Sequence, residues 1–253
     1  MEGVEPGLEE IMCGIPFYDG ANEERYIDFK KRHEDCSWED IITYVNIGLD
    51  RPFYSGVHKI MDPDSLTVLV NKYNQLACNY IPRDLEMITP LYNQGGLVLR
   101  RDARIAFEIM CEAAGAGDIY LEAVSAFRSF SYQRQVYFKN MTPDITLEEY
   151  QAERDKVSAR AGHSEHQTGL AVDINDLEET FEATPAGIWL ARNSYRYGFL
   201  LRYPKGKEKI TGYSYEPWHF RYLGMELARE IYYSELTYDE FYMRYLYPSC
   251  QGE

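Results

Sequence analysis

Long hydrophobic runs are missing from this chain of 253 residues. No apolar stretch approaches the roughly 20 residues needed to cross a bilayer, so no membrane span is expected. Positive charge is scarce: 26 Lys and Arg stand against 41 Asp and Glu, a net charge of -15. Nucleic acid is thereby excluded as a partner, because phosphate binding needs a basic footprint. Anionic lipid and anionic polymers are disfavoured for the same reason, and a metal cation or a small zwitterion suits the chain better. The five cysteines (Cys13, Cys36, Cys78, Cys111, Cys250) contain no Cys-x-x-Cys spacing, and their odd number leaves at least one thiol unpaired within a chain. Cys111 falls in a helical pattern and reads as a small buried hydrophobe, while no pattern supports a disulfide through Cys13 or Cys36. Internal repeats and low-complexity runs are also absent. The first ten residues are acidic, the opposite of the basic start of a secretory signal.

What is present suffices for a large core. Apolar residues make up 45% and aromatics 15% of the chain, with 23 Tyr among them. Residues 22–33 carry an apolar stripe at helical spacing, and Ser37 precedes acidic residues as an N-cap for a helix to about Asn46, ended by Gly48 and Pro52. The pattern over 66–73 fits strand or helix. After Gly95 and Gly96, residues 97–99 read as a short strand. Residues 101–114 then read as a helix with Ala103, Ala106, Ile109, Met110 and Ala113 inward. Strands are expected over 119–127, 170–174, 199–203 and 215–223. Helices are expected over 132–140, from the Thr146-x-x-Glu149 capping box to about Arg160, over 184–193, 225–234 and 238–247. Strands grouped after helices, without regular βαβ alternation, indicate an α+β fold. The expected architecture is a small antiparallel sheet flanked by helices, with a mostly helical N-terminal extension over 1–85 and the main domain over 86–253.

The stretch from Ser164 to Asp173 organises the chain. His166 precedes Gly169, a turn residue, and the strand that follows places Leu170, Val172 and Ile174 toward a core and Ala171 and Asp173 on the other face. A second segment, Glu216-Pro217-Trp218-His219, enters a strand in which His219 and Arg221 share a face opposite Trp218 and Phe220. Only five histidines occur in the chain. Two His and one carboxylate, with an open position, form the ligand count of a catalytic zinc site. Glu216, three residues before His219, is placed to act as a base. Asn175, Asp176 or a backbone carbonyl could orient an imidazole. His163 reads as rim or supporting shell, and His33 and His58 as solvated.

The pattern Ser-x-His-x-x-Gly-x-Ala-x-Asp (Ser164 to Asp173), followed by Glu-Pro-Trp-His (Glu216 to His219), resembles the VanY-type D-alanyl-D-alanine carboxypeptidases. These are zinc peptidases of the bacterial cell wall, related to the D-Ala-D-Ala dipeptidases and similar in fold to the Hedgehog signalling domain. A third segment, Ser125 to Gln133, matches the family's Ser-Gly-Tyr-Arg-Ser-x-x-x-Gln region, departing at Ala126 and Phe127 but keeping the arginine. The three motifs follow in the family's order over roughly 100 residues. The resemblance implies Zn2+ bound by His166, Asp173 and His219, with Glu216 as general base and Arg128 facing the developing oxyanion. Ser164 and Gln133 would bind the substrate, the terminal D-Ala-D-Ala of a peptidoglycan stem peptide. Family members act outside the membrane, which implies an extracytoplasmic, cell-envelope protein whose export or anchor segment is not part of this sequence. An L,D-carboxypeptidase trimming tetrapeptide stems, or a non-catalytic zinc-stabilised binding module, are the alternatives. The segment to about Tyr80 resembles the N-terminal extension of many members.

Overall fold

A computed structural model describes residues 8–247, so the acidic N-terminus up to residue 7 and Cys250 lie outside the described residues. Two compact units are formed, one from residues up to Ser55 together with those from Tyr238 on, the other from Gly56–Thr237. The first unit holds α1 (Leu8–Cys13), α2 (Glu23–Arg32), α3 (Trp38–Ile47) and a short helix over Tyr238–Phe241 that passes into a π-turn over Tyr242–Leu246. Ser37 caps α3 by accepting from the Asp40 amide at 3.1 Å, and Gly48 ends the helix at φ 107°, a backbone state open to glycine. Tyr26, Phe29, Ile41, Ile42 and Val45 form its core. The expected extension over 1–85 spans parts of both units. Residues 56–85 pack with the main unit and the last helix with the first, a long-range pairing that local patterns do not encode.

The larger unit starts with two short pairs, β1 (His58–Lys59) with β2 (Asn74–Gln75), and β3 (Leu85–Met87) with β4 (Val98–Arg100). Residues 66–73, which fit either strand or helix, adopt neither, yet Val68 to Tyr73 are buried. α4 (Arg101–Gly115) follows. Its buried face runs through Ala103, Phe107, Met110, Cys111 and Ala114, while Ile109 is exposed. The stripe is therefore rotated from the expected one, because Phe107 supplies the largest apolar side chain and sets the inward direction.

The main sheet orders β5 (Ala123–Ser125), β6 (Ala171–Ile174), β8 (His219–Tyr222) and β7 (Phe199–Leu201), all neighbours antiparallel. With helices α5 (Phe130–Phe138), α6 (Leu147–Arg154), α7 (Pro185–Asn193), α8 (Glu208–Thr211) and α9 (Met225–Ser234), the chain is α+β as expected. The strands are shorter than their apolar patterns: residues 119–122 and 215–218 stay outside the sheet. Likewise α6 opens on the Thr146 to Glu149 capping box but ends at Arg154.

One face of the sheet is apolar. Leu170, Val172, Ile174, Phe199 and Phe220 pack with Phe107 of α4 and Leu190 of α7. Side chains alternate along strands, so the residues between them point to the opposite face. Asp173 lies opposite His219 and Ala171 opposite Arg221 across the β6–β8 pair.

Candidate metal centre

Asp173 and His219 meet because register partners on neighbouring antiparallel strands project side by side from one face. Asp173 Oδ1 is 3.1 Å from His219 Nδ1. His166 arrives from the turn just before β6, a 3-10 segment over Glu165–Thr168 closed by Gly169 at φ 68°. A Cβ on Gly169 would lie 2.8 Å from Leu85 Cδ2 and 3.0 Å from Arg100 Cγ. That position therefore needs glycine both for its left-handed backbone and for the close approach. The result puts His166 Nε2 3.2 Å from Asp173 Oδ2, with the two imidazole rings 4.9 Å apart and nearly perpendicular.

The ligand atoms of His166, Asp173 and His219 lie within 4.8 Å of one another, and all three residues are buried. His166 Nδ1 is 2.7 Å from the Ala126 carbonyl, an acceptor only, so the ring proton sits there and Nε2 keeps its lone pair. That lone pair faces a carboxylate oxygen. Among the described residues, His166 Nε2 and Asp173 Oδ1 are buried without a hydrogen-bond partner. Acceptors facing one another in a dry site repel unless a cation lies between them, and two imidazoles with one carboxylate suit zinc. The residues present fit the ion.

The electrostatics agree. Burial pushes the His166 pKa down to about 4, with the Arg128 charge adding to it. Burial also opposes charge on Asp173, but His166 and His219 outweigh it and hold the carboxylate well below its ordinary range. For His219, burial is again opposed, here by the Asp173 and Glu165 carboxylates, which bring its pKa up to about 9. Asp173 is thus held as an anion and His166 as a neutral imidazole, the forms in which they bind a metal.

Glu216 precedes β8 in a turn, fixed by its amide to the Tyr203 carbonyl at 3.2 Å and by the His219 amide to its own carbonyl at 3.2 Å. Its Oε2 is 3.7 Å from His219 Nδ1, and burial pushes the carboxyl up to about 7. Arg128 Nη1 donates to Ser125 Oγ at 2.7 Å and lies 3.5 Å from Asp173 Oδ2. Arg128, Ser164, Glu216 and the three metal-site residues all line one cleft of about 500 Å³, with Tyr203, Tyr213 and Trp218 among its walls.

Gln133 differs from its expected role. It is wholly buried, and its amide bonds Arg128 Nε at 2.9 Å and the Ala159 carbonyl at 2.7 Å. With both ends engaged inside the protein, it supports Arg128 and presents nothing to a ligand. Of the three proposed orienting groups, the backbone carbonyl of Ala126 is the one that serves an imidazole. Asn175 instead joins the Glu122 amide and the Tyr120 carbonyl, and Asp176 its neighbour's amide. His163 is buried against the Asn71 carbonyl at 2.8 Å. Glu165 was not anticipated. Its carboxylate is fully buried and bonded to Arg202 at 2.8 Å and Arg221 at 3.1 Å, and it faces His219 Nε2 at 3.4 Å.

Comparison with known proteins accords with this geometry. Residues 96–225 match the family model VanY, described as D-alanyl-D-alanine carboxypeptidase. The Bacillus subtilis (strain 168) protein YodJ, named as a carboxypeptidase, is 39% identical over 203 residues, covering 74% of this chain and 70% of its own. Among solved structures, the LdcB LD-carboxypeptidase aligns with a TM-score of 0.68 at 38% identity, over 75% of this chain and 91% of that one. The vancomycin-resistance D,D-pentapeptidase VanY of a VanB-type cassette, a mutant in complex with Zn(II), aligns with a TM-score of 0.60 at 33% identity, over 69% and 97% of the two chains. The chain belongs to the VanY family of D-alanyl-D-alanine carboxypeptidases.

Proposed function

We propose that this protein is a zinc D,D-carboxypeptidase that hydrolyses the terminal D-Ala-D-Ala bond of peptidoglycan stem peptides in the cell envelope. The observation that carries the reading is the convergence of Glu216, Arg128 and the His166–Asp173–His219 cluster on one cleft. His166, Asp173 and His219 would hold the zinc, which supplies Lewis acidity toward a carbonyl oxygen and lowers the pKa of water. Glu216 takes the proton from the water that adds to the scissile carbonyl carbon. The carbon–nitrogen bond then breaks, and Glu216 returns the proton to the departing amine of the terminal D-Ala. A carboxyl held near 7 is suited to both transfers. Arg128, fixed by Gln133 and Ser125, directs its permanent charge at the oxygen that becomes negative. Ser164, buried at the cleft wall, supplies a hydroxyl for the substrate's terminal peptide.

Similarity to LdcB, an LD-carboxypeptidase, favours one second reading, removal of D-Ala from tetrapeptide stems. A binding module without catalysis is disfavoured, because holding an ion requires neither Glu216 nor Arg128. Incubation with pentapeptide and tetrapeptide stems separates the readings. Release of D-Ala from the pentapeptide alone supports the D,D activity, release from the tetrapeptide alone the L,D activity, and release from neither the module.

A further inference from the structure

Glu165 opens the turn that carries His166 and reaches toward His219, with its side chain wholly shielded from solvent. Its two oxygens are divided. Oε1 accepts from Arg202 Nε at 2.8 Å and from Arg221 Nη1 at 3.1 Å. Oε2 faces His219 Nε2 at 3.4 Å. Both arginines are buried, and Arg221 also donates to the Leu66 and Val68 carbonyls at 3.0 Å each. Two fixed guanidiniums keep a buried carboxylate ionised and immobile.

The other nitrogen of His219, Nδ1, points into the cluster, 3.1 Å from Asp173 Oδ1. As a metal ligand the ring must be neutral, and a neutral imidazole carries one N–H and one lone pair. A carboxylate at Nε2 demands the N–H there, which leaves the lone pair on Nδ1, on the side of Asp173 and His166. Ligand histidines characteristically donate their second nitrogen to such a group, which fixes the tautomer and raises ligand basicity.

We infer that Glu165 is a positioning residue of the metal centre, locking His219 in the ring orientation and tautomer that present Nδ1 to the ion, with Arg202 and Arg221 as its anchors. This rests on the assignment of His219 as a ligand under the proposed function. Glu165 touches neither substrate nor the reacting atoms in this scheme. It acts through His219.

The test uses zinc itself, measured by competition with a chelator on protein whose folding is checked by circular dichroism. Glu165→Gln keeps the volume and weakens the acceptor. It should lower zinc affinity by about 10–100-fold and move the His219 Nε2–H proton upfield in the zinc-loaded, ¹⁵N-histidine-labelled protein. Glu165→Asp keeps the charge opposite the arginines and withdraws the carboxylate from Nε2. It should do the same, and it decides the matter if Glu165→Gln does not fold. A folded variant with zinc affinity within about twofold of the parent and an unmoved proton signal overturns the inference. His219→Ala separates the two levels of argument. Unchanged zinc affinity there would remove His219 from the ligand set, whereas weakened affinity there with unaffected Glu165 variants would remove only the positioning role.

Discussion

Asp173 on β6 and His219 on β8 are register partners across an antiparallel pair, and their side chains meet with Oδ1 3.1 Å from Nδ1. The pairing ties the metal centre to the hydrogen bonding of the sheet: a slip of one residue by either strand would send that strand's side chain into the apolar face. An ion held there also joins two strands and the His166 turn, so binding and folding are coupled. Zinc should raise the melting temperature, with about 4 kcal/mol of stabilisation at a free concentration a thousandfold above Kd. His166→Ala should abolish that rise and reduce the bound metal well below one zinc per chain. A zinc-dependent rise of unchanged size in the variant would remove His166 from the ligand set.

Glu216 is the residue that separates an enzyme from a metal-stabilised module. Glu216→Gln should retain zinc and lose turnover by roughly a hundredfold or more, as expected for an acid–base group. In the proposed role Glu216 works when deprotonated, and burial raises its pKa to about 7. In the parent enzyme kcat/KM should therefore be full above that value and decline as pH falls through it. The residual rate of Glu216→Gln should lack this acid limb. Near-normal hydrolysis by a zinc-loaded variant would exclude the role.

Gly169 closes the turn that delivers His166, at φ 68° and with no room for a Cβ against Leu85 and Arg100. Gly169→Ala should destabilise the protein by about 1–2 kcal/mol from the left-handed backbone alone, and more through the close contacts. Because the His166 carbonyl accepts the Gly169 and Arg128 amides, the strain should also weaken zinc binding. Denaturant unfolding and chelator competition measure the two effects, and a variant as stable as the parent would refute the packing argument.

The site was legible in the sequence to the extent that its parts are local. His166, Asp173 and His219 sit in short motifs, and strand alternation alone places Asp173 opposite the apolar Val172 and Ile174. The α+β class follows from the same grouping of patterns. Glu165 was missed because a lone carboxylate beside a turn is ordinarily solvated. The available signal was Arg221, already on the face of His219 by alternation and in need of a buried counter-ion. The roles of Gln133 and of the terminal segments were not legible for a different reason. Each depends on partners distant in sequence, such as the Ala159 carbonyl for Gln133 or Asp40 for Arg244 at 2.7 Å.

The thiols offer a check on burial away from the site. Cys13 and Cys78 are exposed and Cys111 is buried, where burial pushes its thiol far above the ordinary value. Thiolate is the reactive form, so Cys111 should resist alkylation in the native protein and react only after unfolding. Peptide mapping after iodoacetamide treatment distinguishes the positions. Native labelling of Cys111 at the rate of Cys78 would contradict the packing of α4.

The last prediction concerns the route by which Gln133 acts. Its amide oxygen accepts from Arg128 Nε and its amide nitrogen is spent on the Ala159 carbonyl, so substitution should be felt through Arg128. Gln133→Leu preserves bulk but leaves a buried guanidinium donor and a carbonyl unpaired, an effect of about 1–3 kcal/mol each. With the cation free to swing from the position proposed for it beside the oxyanion, kcat should decline while KM changes little, since the loss falls on the transition state. In an Arg128→Ala background the same change should cost almost nothing further in kcat, because the group it orients is gone. Additive losses in the double variant, or a rise in KM as the dominant effect of Gln133→Leu, would return Gln133 to direct contact with the substrate.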